Sequence, residues 1–304
     1  YFRCGFCAFS KGPRSLNLRG EPYLLSLEEI TRRTFEAYER GATEVCMQGG
    51  IHPSFTGDFY LEVLRTVKAA VPAIHVHAFS PLEVWQGAET KGVPVRDFLW
   101  ELKDNGLGTL PGTAAEILDD EVRRVICPDK ITTEQWSFVA STAHSLGLRM
   151  TTTMMFGHAD TYRSWARHLI VLRDIQKETG GFTEFVPLPF VHMAAPIFLK
   201  GRARRGPTFL EALKVHSVAR LALHPWITNI QVSWVKMGLE GARAVLNAGC
   251  NDLGGTLMNE NISRAAGASH GQEVTPQEMR RLIAGIGRPW ALRNTVYGIL
   301  AAGK

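Results

Sequence analysis

Apolar and polar residues alternate in seven short runs along the chain, near Thr43–Gln48, Ile74–Phe79, Leu107–Leu110, Arg149–Met155, Phe182–Pro187, Thr228–Trp234 and Asn251–Gly254. A period of two is the signature of a β-strand. Helical patterns fill the intervals. Several open with a hydroxyl residue answered three positions later by an acid or amide: Ser26 with Glu29, Thr132 with Gln135 and Thr208 with Glu211. In such a capping box the hydroxyl accepts from the third helical N–H. Gly41 and Gly147 supply helix stops. Strand-then-helix units spaced by about 30 to 45 residues predict parallel strands joined by right-handed crossovers.

The faces of these strands choose between two architectures. Glu44, Cys46 and Gln48 oppose Val45 and Met47; His75 and His77 oppose Ile74, Val76 and Ala78; Asn229, Gln231 and Ser233 oppose Ile230, Val232 and Trp234. An open doubly wound sheet is covered by helices on both faces and is apolar on both. A barrel puts helices outside and can line its interior with polar groups. The pattern therefore favours an α/β barrel with a polar interior, although any one of these residues could equally serve as a buried hydrogen-bonding group.

Composition agrees with this size of fold. The 304 residues are 45% hydrophobic and 21% charged, which excludes a disordered or collagen-like chain. The longest apolar stretch, Val186–Leu199, is interrupted by Pro187, Pro189, His192 and Pro196, too soon for the roughly 20 apolar residues of a membrane-spanning helix. No membrane partner is expected. The net charge of +5 is dispersed, apart from Lys200, Arg202, Arg204 and Arg205, which read as a solvated or anion-facing loop. Without interleaved aromatics they do not predict nucleic-acid binding. Five cysteines, an odd number, argue for reduced thiols and a cytoplasmic setting. With the natural N-terminus out of view, organellar targeting stays open.

Cys4 and Cys7 form a C-x-x-C with Phe6 before the second cysteine. Alone, this motif could be half of a zinc site, a redox pair or chance, and no second C-x-x-C follows. Cys46, Cys127 and Cys250 are isolated and read as small buried hydrophobes.

The run Tyr-Phe-Arg-Cys-Gly-Phe-Cys resembles the tail of the radical S-adenosylmethionine (SAM) signature C-x-x-x-C-x-x-C, whose first cysteine would stand one position before Tyr1. Further runs follow in order: Met47-Gln48-Gly49-Gly50-Ile51-His52-Pro53, His75 to Pro81, Gly108 to Ile117, Gly181 to Phe190 and Asn251 to Met258. Together these resemble the CofH family, the tyrosine-dependent half of FO synthase, over nearly the whole chain. Radical enzymes of the menaquinone futalosine pathway share some of these elements and are the alternative.

The resemblance implies a (β/α)8 TIM-like barrel whose first strand and first cluster cysteine are missing from this chain. One domain over residues 1–304 is expected, with a helical extension from about residue 256 onward. Such a fragment is not expected to hold a stable catalytic cluster by itself. The implied cofactors are a 4Fe-4S cluster and SAM. Three thiolates hold three irons, the fourth iron binds SAM, and reductive cleavage releases a 5′-deoxyadenosyl radical. That radical would abstract hydrogen from L-tyrosine, whose Cα–Cβ bond breaks. The 4-hydroxybenzyl fragment then joins 5-amino-6-(D-ribitylamino)uracil. The implied partners, besides these substrates, are a companion FO-forming lyase, fused or separate, and an electron donor.

Residue by residue, the resemblance makes Cys4 and Cys7 cluster ligands and places Phe6 against the adenine. Gln48, Gly49 and Gly50 would let backbone approach the methionine amine of SAM, or simply form a tight turn. Glu116 would accept from the ribose hydroxyls of SAM, or stabilise a helix start. For the substrates, His75, His77, Thr153, Glu184, Asn229 and Gln231 are inward candidates expected near strand C-termini, where barrel enzymes keep their active sites.

Overall fold

A computed structural model of the chain describes residues 4–8, 24–258, 260 and 262–303. Helix α1 (Leu27–Glu39) leads into β1 (Glu44–Met47), and α2 (Gly57–Ala70) into β2 (His75–Ala78). Helices α3 (Pro81–Lys91) and α4 (Val95–Asp104) precede β3 (Thr109–Leu110); α5 (Asp120–Ile126) and α6 (Thr133–Ser145) precede β4 (Arg149–Phe156). Helix α7 (Tyr162–Thr179) precedes β5 (Phe182–Pro189), and α8 (Pro196–Leu199), α9 (Phe209–Leu223), α10 (Trp234–Leu246), α11 (Ile262–Ala266) and α12 (Pro276–Ala284) follow it. The last elements are β6 (Trp290–Arg293) and β7 (Ile299–Gly303).

The first five strands form one parallel sheet in chain order. Glu44 pairs with His75, Cys46 with His77, His77 with Thr109 and Thr109 with Arg149. The β4–β5 register shifts between Met150 and Thr152. The two remaining predicted strands are reduced to single parallel bridges, Phe185 with Ile230 and Gln231 with Asp252. The reason is local. Asn251 uses its side-chain oxygen to accept the Ile230 N–H at 2.9 Å, while its own N–H donates to the Ile230 carbonyl at 3.1 Å. Side-chain bonding of this kind replaces ladder hydrogen bonds. Among the described residues the sheet does not close into a ring. The expected first strand and first cysteine fall outside the described residues.

The predicted faces are present. Ile74, Val76, Ala78, Ile230, Val232 and Trp234 are all buried, and the polar set alternates with them on the opposite face. Between sheet and helices the core is filled by Trp136, Phe98, Phe156 and Phe185. Burial of side chains this large contributes roughly 2–3 kcal/mol each. Thr132 with Gln135 and Thr208 with Glu211 form complete capping boxes. Ser26 caps α1 through the Glu29 N–H, but the Glu29 carboxylate turns instead to Arg32 and Arg33.

The helical extension expected after about residue 256 needs correction. It contains α11 and α12, but then an antiparallel hairpin in which Trp290 pairs with Gly303 and Leu292 with Ala301. The hairpin loop is tied by the Asn294 side chain, which accepts the Gly298 N–H at 2.7 Å. Such a side-chain tie lets asparagine open a tight turn. Among the described residues no helix is long and apolar enough to cross a membrane.

Candidate functional site

Loops following the C-terminal ends of the strands meet at one end of the sheet, and the predicted cofactor residues gather there. Cys4 and Cys7 sit on a single turn, closed by the Cys7 N–H donating to the Cys4 carbonyl at 3.1 Å. Gly5 fastens that turn to the barrel: its N–H donates to the Ile126 carbonyl at 3.0 Å, and its carbonyl accepts from Ile197 at 2.6 Å. Neither cysteine is in a disulfide, and both are half-buried. Burial pushes the Cys4 thiol up to about 11, against the pull of the neighbouring Lys130. A bare thiolate is costly in that setting, and a bound metal offsets the cost by replacing the proton.

Lys130 ties three of these residues together. Its ammonium lies 2.6 Å from Glu116 Oε1 and 5.0 Å from the centroid of the Phe6 ring. Glu116 has φ +46° and Ala114 φ +62°, left-handed conformations that cost a non-glycine residue energy. The strain turns the Pro111–Glu116 loop so that the Glu116 carbonyl also accepts from Met155 at 2.6 Å. One Glu116 oxygen is occupied by Lys130, a partner that neither the ribose reading nor the helix-start reading of this residue included.

Gln48, Gly49 and Gly50 follow β1 and are exposed. Gly49 donates its N–H to Glu83 Oε1 at 2.9 Å. The other Glu83 oxygen accepts from the Ser80 N–H and hydroxyl, both at 2.7 Å. Glu83 is 2% exposed, and burial raises its pKa against these hydrogen bonds. A β-carbon on Gly50 would meet nothing within 4 Å, so packing within the chain does not require glycine there.

The inward polar residues divide in two. Toward the C-terminal half, Thr153 donates to the Gly112 carbonyl at 2.8 Å, and the Gln231 side chain has no hydrogen-bond partner among the described residues. His77 is buried with Nδ1 2.7 Å from the Thr109 hydroxyl, which also lies 2.8 Å from His75 Nε2. Burial pushes His77 down to about 3 and also lowers His75, so both rings are neutral near pH 7.

The expectation that all six stand near strand C-termini is not met. His75 is the first residue of β2, Glu184 the third of eight in β5, and Asn229 precedes the bridging Ile230. At that end the chain satisfies its own polar groups. Glu184 Oε2 accepts from the Tyr297 hydroxyl at 2.6 Å and lies 3.3 Å from Arg293. Thr295 donates to Glu44, and Asn229 donates to the Thr183 carbonyl at 2.8 Å. Burial and the nearby Asp252 push Glu184 up to about 7, against Arg293. The two small cavities here, about 190 and 230 Å³, are lined by Val296 with Asn229 and Tyr297, and by Val296 with His75 and Thr295.

Sequence reasoning missed Glu83, Lys130, Lys236, Arg293 and Tyr297. Ser80 and Glu83 have capping-box spacing, a signal that could have found the first. The others depend on contacts between distant segments. The basic loop is partly neutralised, since Arg204 holds both carboxylate oxygens of Glu211 at 2.8 Å.

A parallel α/β sheet carrying a C-x-x-C turn and a strained carboxylate loop joined through Lys130, with a Gln-Gly-Gly loop fixed by Glu83, is an arrangement of the SAM-cleaving type. Residues 1–170 match the Radical SAM superfamily model, and residues 179–304 match the CofH/MqnC C-terminal region. The chain is 49% identical to the 5-amino-6-(D-ribitylamino)uracil--L-tyrosine 4-hydroxyphenyl transferase of Methanopyrus kandleri, covering 97% of this chain and 79% of that protein. It is 51% identical to FO synthase of Mycobacterium tuberculosis over 99% of this chain, but spans only 35% of that protein's length. Among solved structures, methylornithine synthase (PylB) superposes with a TM-score of 0.66 at 17% identity, covering 94% of this chain and 77% of that one, which shows the shared fold. The chain belongs to the radical SAM superfamily, in the family of these two relatives.

Membership implies a 4Fe-4S cluster and SAM. The residues present fit them. Soft thiolates suit iron-sulfur clusters. Here two thiols share one turn, and the open space at Gly50 leaves room for backbone to approach a ligand.

Proposed function

We propose that this chain cleaves the Cα–Cβ bond of L-tyrosine and couples the 4-hydroxybenzyl fragment to 5-amino-6-(D-ribitylamino)uracil. The observation that carries this reading is the near-end-to-end similarity to the Methanopyrus kandleri transferase, at 49% identity over 295 residues. The futalosine-pathway alternative has no comparable support.

Cys4 and Cys7 would hold two irons of the cluster, and Gly49, fixed by Glu83, would present backbone to SAM. When bound, cluster and SAM supply the hydrogen-abstracting radical. Phe6, held under the Lys130 ammonium, would pack on the adenine, and the free Glu116 oxygen would accept a ribose hydroxyl. Gln231 carries both a donor and an acceptor, which the edge of a uracil requires. Neutral His77, oriented by its hydrogen bond with the Thr109 hydroxyl, would present an uncharged ring to the interior. His75, Glu184 and Asn229 would act by shaping the barrel interior, because their polar atoms are engaged within the chain. A companion lyase acting on the coupled product and a low-potential electron donor complete the proposed setting.

The test combines the full-length polypeptide, reconstituted without air, with a reductant, SAM, tyrosine and the diaminouracil. A coupled product of the expected mass supports the reading. Deoxyadenosine release with tyrosine left intact refutes it and favours the futalosine alternative.

A further inference from the structure

We infer that Lys236 anchors the α-carboxylate of an amino acid at the mouth of the barrel. The inference rests on the functional reading above and adds a binding residue to it. Lys236 stands in the first turn of α10, directly after the segment that bridges to β5, and therefore at the same end of the sheet as the cysteine turn. It is partly buried.

Its surroundings do not neutralise it. The ammonium has one hydrogen-bond partner, the Ser263 hydroxyl at 3.0 Å, and no carboxylate within 4 Å among the described residues. Ser263 is itself fixed, with its N–H donating to the Glu260 carboxylate at 2.9 and 3.2 Å. Glu260, Glu116 and Cys7 are near enough to act on Lys236 electrostatically, while burial disfavours its charge. The contrast with Lys130 is direct, since that ammonium has its carboxylate at 2.6 Å.

Two physical arguments make the arrangement unfavourable without an anion. A desolvated ammonium lacking a counter-ion is costly. Ser233 also supplies no side-chain cap to the turn that carries Lys236, which leaves its amides without a side-chain acceptor. The turn is moreover set apart from the rest of α10 by a break at Gly238, φ +69° and ψ 171°, where a β-carbon would come within 2.9 Å of His270 Nδ1. Lys236 is thus held on its own short turn, and its position follows that turn rather than the longer helix.

The chemistry that answers a single compact ammonium is a single compact anion. In the proposed reaction that group is an amino-acid carboxylate, carried both by tyrosine and by the methionyl part of SAM. The two sources can be separated. Equilibrium binding to the anaerobically reconstituted full-length polypeptide is measured for tyrosine against tyramine and for SAM against decarboxylated SAM.

In the unsubstituted protein the carboxylated member of one pair binds more tightly. In K236M that preference falls by at least about thirty-fold, with iron content unchanged, because truncating one partner of a buried charge pair costs about 2 kcal/mol or more. K236R retains part of it. A measurement without substitution runs in parallel: the carboxylated ligand should protect Lys236 from acetylation, read by peptide mass, and its decarboxylated analogue should not. Unaltered preferences in K236M, or equal labelling of Lys236 under all ligands, overturn the inference alone. Failure of the unsubstituted protein to bind either tyrosine or SAM overturns the functional reading and this inference with it.

Discussion

Arg293 and Asp252, from the hairpin and from the last bridging segment, form a two-pronged ion pair: Nε to Oδ2 at 2.6 Å and Nη2 to Oδ1 at 3.1 Å. Both side chains are largely buried, at 21% and 9% exposure. The pair fastens the hairpin to the N-terminal end of the strands. Planar two-point pairing of this kind is stronger than a single neutral hydrogen bond.

Removing the guanidinium leaves Asp252 buried without its partner and deprives Glu184 of a nearby cation. R293M should therefore lose about 3 kcal/mol of stability, a magnitude common for breaking a buried pair. Urea unfolding measures the loss. An unchanged midpoint would show that the hairpin is not fastened in this way.

Glu184 gives the stability a pH dependence of known sign. Its carboxyl is pushed up to about 7 from the ordinary value of 4.5, so between these values the native state holds a proton that the unfolded chain releases. Its contribution is fully present below pH 4.5 and is lost as pH rises through 7. The unsubstituted protein should lose up to about 1.4 kcal/mol of stability per pH unit relative to E184Q across this window. Parallel denaturation series at several pH values would expose a missing slope.

Glu83 positions the loop after β1 through the Gly49 N–H at 2.9 Å. E83A releases that N–H and should weaken SAM binding about ten-fold, the equivalent of one charge-assisted hydrogen bond. Iron content should hold, because the hydrogen bonds of Glu83 go to Gly49 and Ser80. SAM affinity equal to that of the unsubstituted protein would remove Glu83 from the site.

Gly112 and Gly50 provide opposite cases. A β-carbon at Gly112 would lie 2.4 Å from the Thr151 carbonyl oxygen and 2.5 Å from the Thr152 α-carbon, backbone atoms that cannot step aside. G112A should destabilise the protein by about 1–3 kcal/mol. At Gly50 the space is open, so G50A should leave stability within about 0.5 kcal/mol while impairing SAM binding. Thermal unfolding with and without SAM separates the two effects, and a G50A protein with normal SAM affinity would assign that glycine to the turn alone.

Much of this architecture was legible before the structure. Alternation in Ile74–Phe79 identified β2, and the apolar residues of that run and of Thr228–Trp234 are buried, although the second run forms only isolated bridges. The order of the motifs identified the family; His75 to Pro81 and Gly181 to Phe190 contain β2 and β5 themselves, while Met47 to Pro53 and Gly108 to Ile117 run from the ends of β1 and β3 into the loops beyond. The expected placement of His75, Glu184 and Asn229 near strand C-termini was not met, for a physical reason. Alternation tells which face a side chain takes, not how far along the strand it stands or what covers that end. Glu83, by contrast, was within reach, since the spacing of its capping box is a local property.

What the sequence determined by itself is whatever short-range periodicity and chain order can encode: parallel strand and helix units, alternating polar and apolar strand faces, and the motifs that carry the family. Tertiary structure alone decided how charges separated by many residues are shared. Arg293 and Tyr297 fill the N-terminal end against Asp252 and Glu184, Lys130 takes one oxygen of Glu116, and Lys236 is left without a carboxylate within 4 Å among the described residues. Electrostatic pairing depends on distance in space and on burial, and neither is a function of position along the chain.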